Sequence, residues 1–360
     1  MLYLAKTHKT MRNLISVLFL ALFFTSCVKK NTPKSVENAL NLAGENKKEL
    51  QAVLNSYAKE DINGSKLRAA EYLISSMPKY KSSYDEGYYE EIFNRVEKER
   101  IHYENNSDLK IVAIRDKTNA IFKNLLDSVS GPRMAKTISD LHFIDSTFLV
   151  ENIELAFKAY EANPIKSCKD FNDFLKFVLP YRTGSEPLEK GKRLALFLKN
   201  KWALEALKTT PVDTVVKKIY EEMKFSIQWG KKNHFPNTPN LSQIEQVRFG
   251  SCDQLSNYVV NALRAIGIPA GVDYTTRWGN RHKSAGHSWI FYFTETGYSS
   301  INIGTPEFEL VNNIYTISSL TKVFRRSYSE REDITHLYKK AYDVDTVSYT
   351  HLTLPTICSV

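Results

Sequence analysis

Cysteine is scarce, with four in 360 residues, and Cys27 and Cys358 lie near the ends of the chain. That excludes a disulfide scaffold, so a core must be held by packing. Long hydrophobic runs are missing too. The longest, Leu14 to Phe24 broken only by Ser16, is too short to span a bilayer. There is no internal repeat and no low-complexity tract, which sets repeat architectures aside. No Asp-x-Asp-x-Asp-Gly loop occurs, and neither a metal nor an organic cofactor is expected. The net charge of +9 is spread along the chain, with no continuous basic helix face and no aromatic-basic interleaving. Nucleic acid is therefore not an expected partner.

The amino terminus reads as an export signal. Lys6, Lys9 and Arg12 precede the apolar run, and Thr25-Ser26-Cys27 follows it, so residues 1–26 form a signal peptide. The Phe24-Thr-Ser-Cys27 ending resembles a bacterial lipobox, with Phe24 where Leu is more usual. The resemblance implies that Cys27 carries lipid as the first mature residue. The alternative is a signal-peptidase substrate with an ordinary free Cys27. Met11 is an alternative start, since Met11 to Cys27 is a complete signal. Residues 27–34 then form a polar tether to a membrane. The expected location is the cell envelope, at the outer membrane on its periplasmic or surface face. At the other end, residues 347–360 resemble translated sequencing-adapter read-through and are set apart from the fold, with the natural protein expected to continue past about Asp345.

Between these ends the chain has room for two domains. Residues 35–208 show helical periodicity. Leu67, Ala70, Ile74 and Met77 recur before Pro78, and Ala120, Ile121, Leu125 and Val129 before Gly131-Pro132. Further helices are expected around Phe148 to Tyr160, over Asp170 to Val178, and over Leu188 to Leu207. The character changes near Pro211. A last helix from Val212 to Met223 leads into Gly230 to Val247, which reads as loop because of Pro236, Pro239 and three Asn. Beyond Cys252 a helix ends at Gly267, and strands are expected over Ala270 to Trp278, Ser288 to Phe293 and Tyr298 to Ile303. The predicted class is α+β: a helical amino-terminal region, then a core over residues 209–346 in which a Cys-bearing helix packs on an antiparallel sheet.

The chemistry concentrates in that core. Ser251 and Gln254 form a Ser-x-x-Gln capping box, which puts Cys252 at the first helical position. Unpaired N–H groups and the helix dipole there favour thiolate, the nucleophilic form. The Cys252 N–H is a donor for a developing oxyanion. Gln246 is a second candidate donor, or else a solvated loop glutamine. Alternation puts His287 and Trp289 on one strand face and Ser288 and Ile290 on the other, so His287 reaches Cys252 if its face covers the helix start. Gly286 permits close backbone approach. Asn302 on the next strand is placed to orient the imidazole. His282 competes with His287, Asp273 with Asn302, and a Cys168–Cys252 disulfide with a free nucleophile. Trp229, Trp278, Trp289 and Tyr274 are candidates for a groove, or simply for packing.

Residues Arg248 to Gly304 resemble the transglutaminase-like superfamily, a group with a papain-like cysteine hydrolase core. Gly250-Ser-Cys252, Arg264-Ala-Ile-Gly-Ile-Pro-Ala270 and His287-Ser-Trp289 carry the likeness. Leu179-Pro-Tyr-Arg182 and Glu186-Pro187-Leu188 resemble the segment upstream of this core in lipoproteins of Bacteroidetes type. Asn302 stands where the family usually has Asp, which keeps orientation but weakens imidazolium stabilisation. The resemblance implies a thiol-dependent amide or peptide hydrolase, or an acyl transferase, with Cys252, His287 and Asn302 as catalytic residues. Its expected substrate is a peptide or protein, including peptide linked to glycan. The alternative is a catalytically degenerate binding or scaffolding lipoprotein of the same fold.

Overall fold

The computed structural model describes residues 32–84, 87–107, 111–128, 136–229, 235, 237–276, 286–304, 323–329 and 349–351. Cys27, Trp278 and His282 lie outside them.

Helices dominate the first half. They are α1 (Lys34–Leu42), α2 (Lys47–Glu60), α3 (Ser65–Ser76), α4 (Glu90–Asn106), α5 (Ile111–Ser128), α6 (Asp140–Phe143), α7 (Ser146–Ala162) and α8 (Phe171–Phe177). α3 buries Ala69, Ala70, Leu73 and Ile74 at helical spacing and gives way to a 3-10 turn containing Pro78. Asp145 and Asp170 cap α7 and α8 by accepting from the Phe148 and Asp173 N–H groups. The apolar stripes of α1, α2, α3, α7 and α8 converge on one hydrophobic cluster that runs in sequence from Val36 to Leu188 and takes in Tyr328.

Two short strands interrupt this half and were not expected there. β1 (Lys81–Tyr84) and β2 (Lys136–Ser139) pair antiparallel. Between them and the later core runs an irregular segment organised by Arg182, which is 1% exposed. Its guanidinium donates to Asp140 Oδ1 and Ser82 Oγ, both at 2.8 Å, and to the Gly184 carbonyl at 3.0 Å. Tyr181 donates to the other Asp140 oxygen at 2.9 Å. Glu186 accepts from the Thr183 and Gly184 N–H groups and so closes the loop.

The expected Leu188-to-Leu207 helix starts later and is broken. α9 (Lys192–Asn200) follows the left-handed Gly191, and α10 (Trp202–Ala206) follows a break at Lys201. Leu196, Ala203 and Leu207 from this region join α11 (Val212–Ser226) in a second hydrophobic cluster that extends to Ile303. Leu188 thus belongs to the first cluster and Leu196 to the second.

The stretch read as loop up to Val247 contains a helix, α12 (Leu241–Val247). Asn240 and Gln243 build its capping box, and Glu189 accepts from the Leu241 and Ser242 N–H groups. On either side, β3 (Gln228–Trp229) and β4 (Phe249–Gly250) pair in parallel.

α13 (Cys252–Ala265) then packs on an antiparallel sheet of β5 (Ala270–Thr275), β6 (His287–Phe293), β7 (Tyr298–Asn302), β8 (Phe324–Arg326) and β9 (Tyr349–His351), in the order β7-β6-β5-β8-β9. β9 falls within the tail set apart above. Leu255, Val259, Leu263 and Ile266 meet Val272, Ile290, Tyr292 and Ile301 in one cluster. Burying each such side chain contributes about 1.5–3 kcal/mol, enough to fix the helix on the sheet. The architecture is α+β.

Candidate active site

The start of α13 is built as the sequence implies. Ser251 accepts from the Gln254 N–H, and Gln254 Oε1 accepts from the Ser251 N–H at 2.8 Å. Cys252 is therefore the first helical residue, half-buried and not in a disulfide; Cys168 is also a free thiol.

The sulfur lies against β6, where it accepts a hydrogen bond from the backbone N–H of Ser288. The approach differs from a simple face-to-face meeting. α13 covers the sheet face bearing Ile290 and Tyr292, and alternation puts His287 on the opposite face. The contact comes instead at the beginning of the strand, through the main chain of the residue that follows His287. Gly286 makes this start compact: a Cβ there would lie 2.1 Å from the Thr275 carbonyl oxygen. His287 and Thr275 are register partners at this end of β5 and β6.

His287 and Asn302 meet directly. Nε2 of the imidazole lies 2.6 Å from Asn302 Oδ1. With the amide oxygen as acceptor, Nε2 carries the proton and Nδ1 is the basic nitrogen. Asp273 is not the partner, since both its oxygens accept from Arg325, at 2.8 and 2.9 Å. Gln246 is also committed elsewhere. Its amide nitrogen donates to Asn94 Oδ1 at 3.2 Å and to Glu97 Oε2 at 3.1 Å, so no donor proton is left for an oxyanion.

The electrostatics run against the expected thiolate. Burial pushes the Cys252 thiol up, and the Asp253 carboxylate adds to this, while the N–H groups of Ser288, Asp253 and Cys252 pull it down without prevailing. Burial likewise lowers His287, opposed by its bond to Asn302. The resting pair is consequently a neutral thiol and a neutral imidazole.

Four further residues matter here besides Cys252, His287 and Asn302. Ser288 gives its N–H to the sulfur and its hydroxyl to Asp253 Oδ1, at 3.0 Å. Asp253 also accepts from Arg326 Nη2 at 2.5 Å. Trp229 is 41% exposed, pairs in register with Gly250, and lays its ring over Gly304, where a Cβ would come within 2.5 Å of it. Trp289 and Tyr274, by contrast, are packing residues, 2% and 8% exposed. Signals existed for the first two, because Asp253 and Ser288 neighbour the motif residues; Arg326 and Trp229 are brought in by strand pairing.

The thiol thus sits at a capped helix start on the antiparallel sheet, and two neighbouring strands of that sheet hold the His–amide pair. Residues 181–303 match the sequence model of the transglutaminase-like superfamily, and this part of the chain is a transglutaminase-like domain. The match begins at Tyr181, within the Arg182-organised segment. The chain is also similar to a solved structure from Cytophaga hutchinsonii, described as a candidate cysteine protease, at 13% identity over 38% of this chain and 53% of that one. The TM-score of 0.24 is too low to carry an argument, and the chain spans about half the length of that protein. No curated protein matches the chain.

Proposed function

We propose that this protein is a thiol-dependent amide or peptide hydrolase working through Cys252, His287 and Asn302. The observation that supports it best is the 2.6 Å contact between His287 Nε2 and Asn302 Oδ1, which turns Nδ1 into the base. It is joined by the Cys252 sulfur held on the N–H of the next residue, Ser288.

In the first step the thiol proton passes to His287 Nδ1 as sulfur bonds to the scissile carbonyl carbon. The negative oxygen of the tetrahedral intermediate is met by the Cys252 N–H. Collapse breaks the C–N bond, and the imidazolium returns its proton to the leaving amine, leaving a thioester. Water, deprotonated by the same nitrogen, then adds to the thioester and releases acid and thiol. If an amine replaces water, the same residues perform acyl transfer. Starting from a neutral pair suits this sequence, because attack and proton transfer are then coupled.

The substrate is a peptide or protein. The export signal and Cys27 support a lipid-anchored protein of the cell envelope, with the membrane as partner. Metabolic labelling with a radioactive fatty acid is expected to mark the wild type and not Cys27→Ala.

A second reading, an inert binding protein, draws on the upward push on the thiol and on Asn in place of Asp. Incubation of the full chain with a peptide library, read by mass spectrometry, decides between them. Cys252-dependent products support the hydrolase. Products that persist in a folded Cys252→Ala variant end that reading.

A further inference from the structure

The sulfur of Cys252 is held through a chain of contacts that ends on another strand. The Ser288 N–H donates to the sulfur, and the Ser288 hydroxyl donates to Asp253 Oδ1 at 3.0 Å. The same oxygen accepts from Arg326 Nη2 at 2.5 Å. Arg326 Nη1 donates in turn to Asn257 Oδ1 at 3.2 Å, one helical turn beyond Asp253. One guanidinium on β8 therefore grips α13 at two points. Through a single carboxylate oxygen it also reaches the residue that touches the thiol. Arg326 is itself held on either side. Its neighbour Arg325 donates to both oxygens of Asp273 on β5, and the Tyr80 hydroxyl donates to the carbonyls of Ser327 and Tyr328. A Cβ on Gly184 would come within 3.3 Å of Arg326 Nη1, so the loop organised by Arg182 closes on it as well.

Resting on the hydrolase reading, we propose that Arg326 is a positioning residue for Cys252, acting through Asp253 and Ser288. It has two tasks. The first is geometric: the shared oxygen ties the start of β6 to the start of α13, which keeps the Ser288 N–H on the sulfur. The second is electrostatic. The Asp253 carboxylate follows the thiol in sequence and opposes its ionisation. A guanidinium bonded to that carboxylate offsets its field at the sulfur. Other described charges nearby are engaged elsewhere or absent at rest. Asp273 is closed by Arg325, Arg248 before β4 lies in the field of Arg100, Glu104 and Glu245, and burial keeps His287 neutral. The Asp253–Arg326 pair is the charge to vary.

The test is the rate of iodoacetamide labelling of Cys252 against pH, read by peptide mapping on the full chain, with folding checked by circular dichroism. Arg326→Gln is expected to move the midpoint up by roughly half a pH unit, or about threefold slower labelling at pH 8. Arg326→Lys, which keeps the charge, should bring the midpoint back toward the wild-type value. Asp253→Asn should move it down, and in that background Arg326→Gln should shift it little. In peptide hydrolysis Arg326→Gln should lower kcat several-fold with KM unchanged. An unchanged midpoint in Arg326→Gln overturns the proposal, as does a shift of full size with Asp253→Asn present. A midpoint in Arg326→Lys as high as in Arg326→Gln marks a merely structural role and overturns it too. If Arg326→Gln does not fold, Asp253→Asn decides alone, and a midpoint that stays or rises overturns the proposal. Labelling needs no turnover, so failure of the hydrolase reading shows separately, as absence of Cys252-dependent products.

Discussion

Nε2 of His287 and Oδ1 of Asn302 sit 2.6 Å apart across adjacent strands, and this one contact fixes which imidazole nitrogen is basic. Removing the amide in Asn302→Ala frees the ring to rotate and to change tautomer. Amide hydrolysis is expected to drop by about 100-fold or more, with the fold intact by circular dichroism.

The pH dependence follows from burial of the same ring. His287 is held below its ordinary value of 6.5, so it stays neutral and able to accept a proton below that pH. The acid limb of kcat/KM is therefore expected under 6.5. Asn302→Asp adds a charge that stabilises imidazolium and should move that limb upward. Stability has the corresponding sign. In the window below 6.5 the unfolded chain binds the proton more tightly, so stability is complete above this window and falls as pH drops through it. Histidine titration by NMR and urea melts at several pH values check both statements.

The two described thiols should be distinguishable by alkylation. Cys252 is pushed above its ordinary value of 9.0, and burial pushes Cys168 further, to about 12. Iodoacetamide labelling of Cys252 is expected to accelerate with pH beyond 9, and to precede labelling of Cys168 at each pH. Peptide mapping by mass spectrometry gives the two rates, and equal rates would contradict the expectation.

The cap of α13 holds Cys252 as well as the helix. Ser251→Ala removes the acceptor for the Gln254 N–H and should cost about 1 kcal/mol in urea unfolding. Because Cys252 is the next residue, kcat should fall by more than global stability accounts for at temperatures where the protein stays folded. Ser251→Asp, which preserves the cap, should restore the stability.

Arg182 and Asp140 form a pair with side chains 0% and 2% exposed. Arg182→Met leaves a buried carboxylate without its cation, at an expected cost of about 3–5 kcal/mol. Burial already pushes Asp140 up, to about 6. The stranded carboxyl should therefore take up a proton in the folded state, and the loss should shrink as pH falls from 7. Adding Asp140→Leu to Arg182→Met should recover much of the stability, as judged by urea melts.

What was readable in the sequence was local. The box around Cys252 needs only Ser251 and Gln254, and His287 and Asn302 lie on strands whose alternation is visible. The same four-residue grammar in Asn240 and Gln243 went unread because nearby prolines and asparagines outweighed a seven-residue helix. β1 and β2 are four-residue strands rich in Ser and Lys, without an apolar alternation to show them. The partners of Gln246, Asn94 and Glu97, come from another helix and could not be read from the local sequence. The shift of Cys252 was misjudged for a similar reason. A helix start pulls a thiol down in water, and only the folded core shows how much water has gone.

Tyr328 joins the amino-terminal cluster from 248 residues beyond Tyr80. Its ring stacks on Tyr80 at 4.7 Å, and the Tyr80 hydroxyl reaches the carbonyls of Ser327 and Tyr328. These residues directly follow β8, so the amino-terminal cluster is buckled to the end of that strand. A fragment that stops before this buckle would leave an aromatic socket on Tyr80 open to water. The helical half is in this sense a clamp on the sheet that carries His287 and Asn302, and the two are best expressed, and inherited, together.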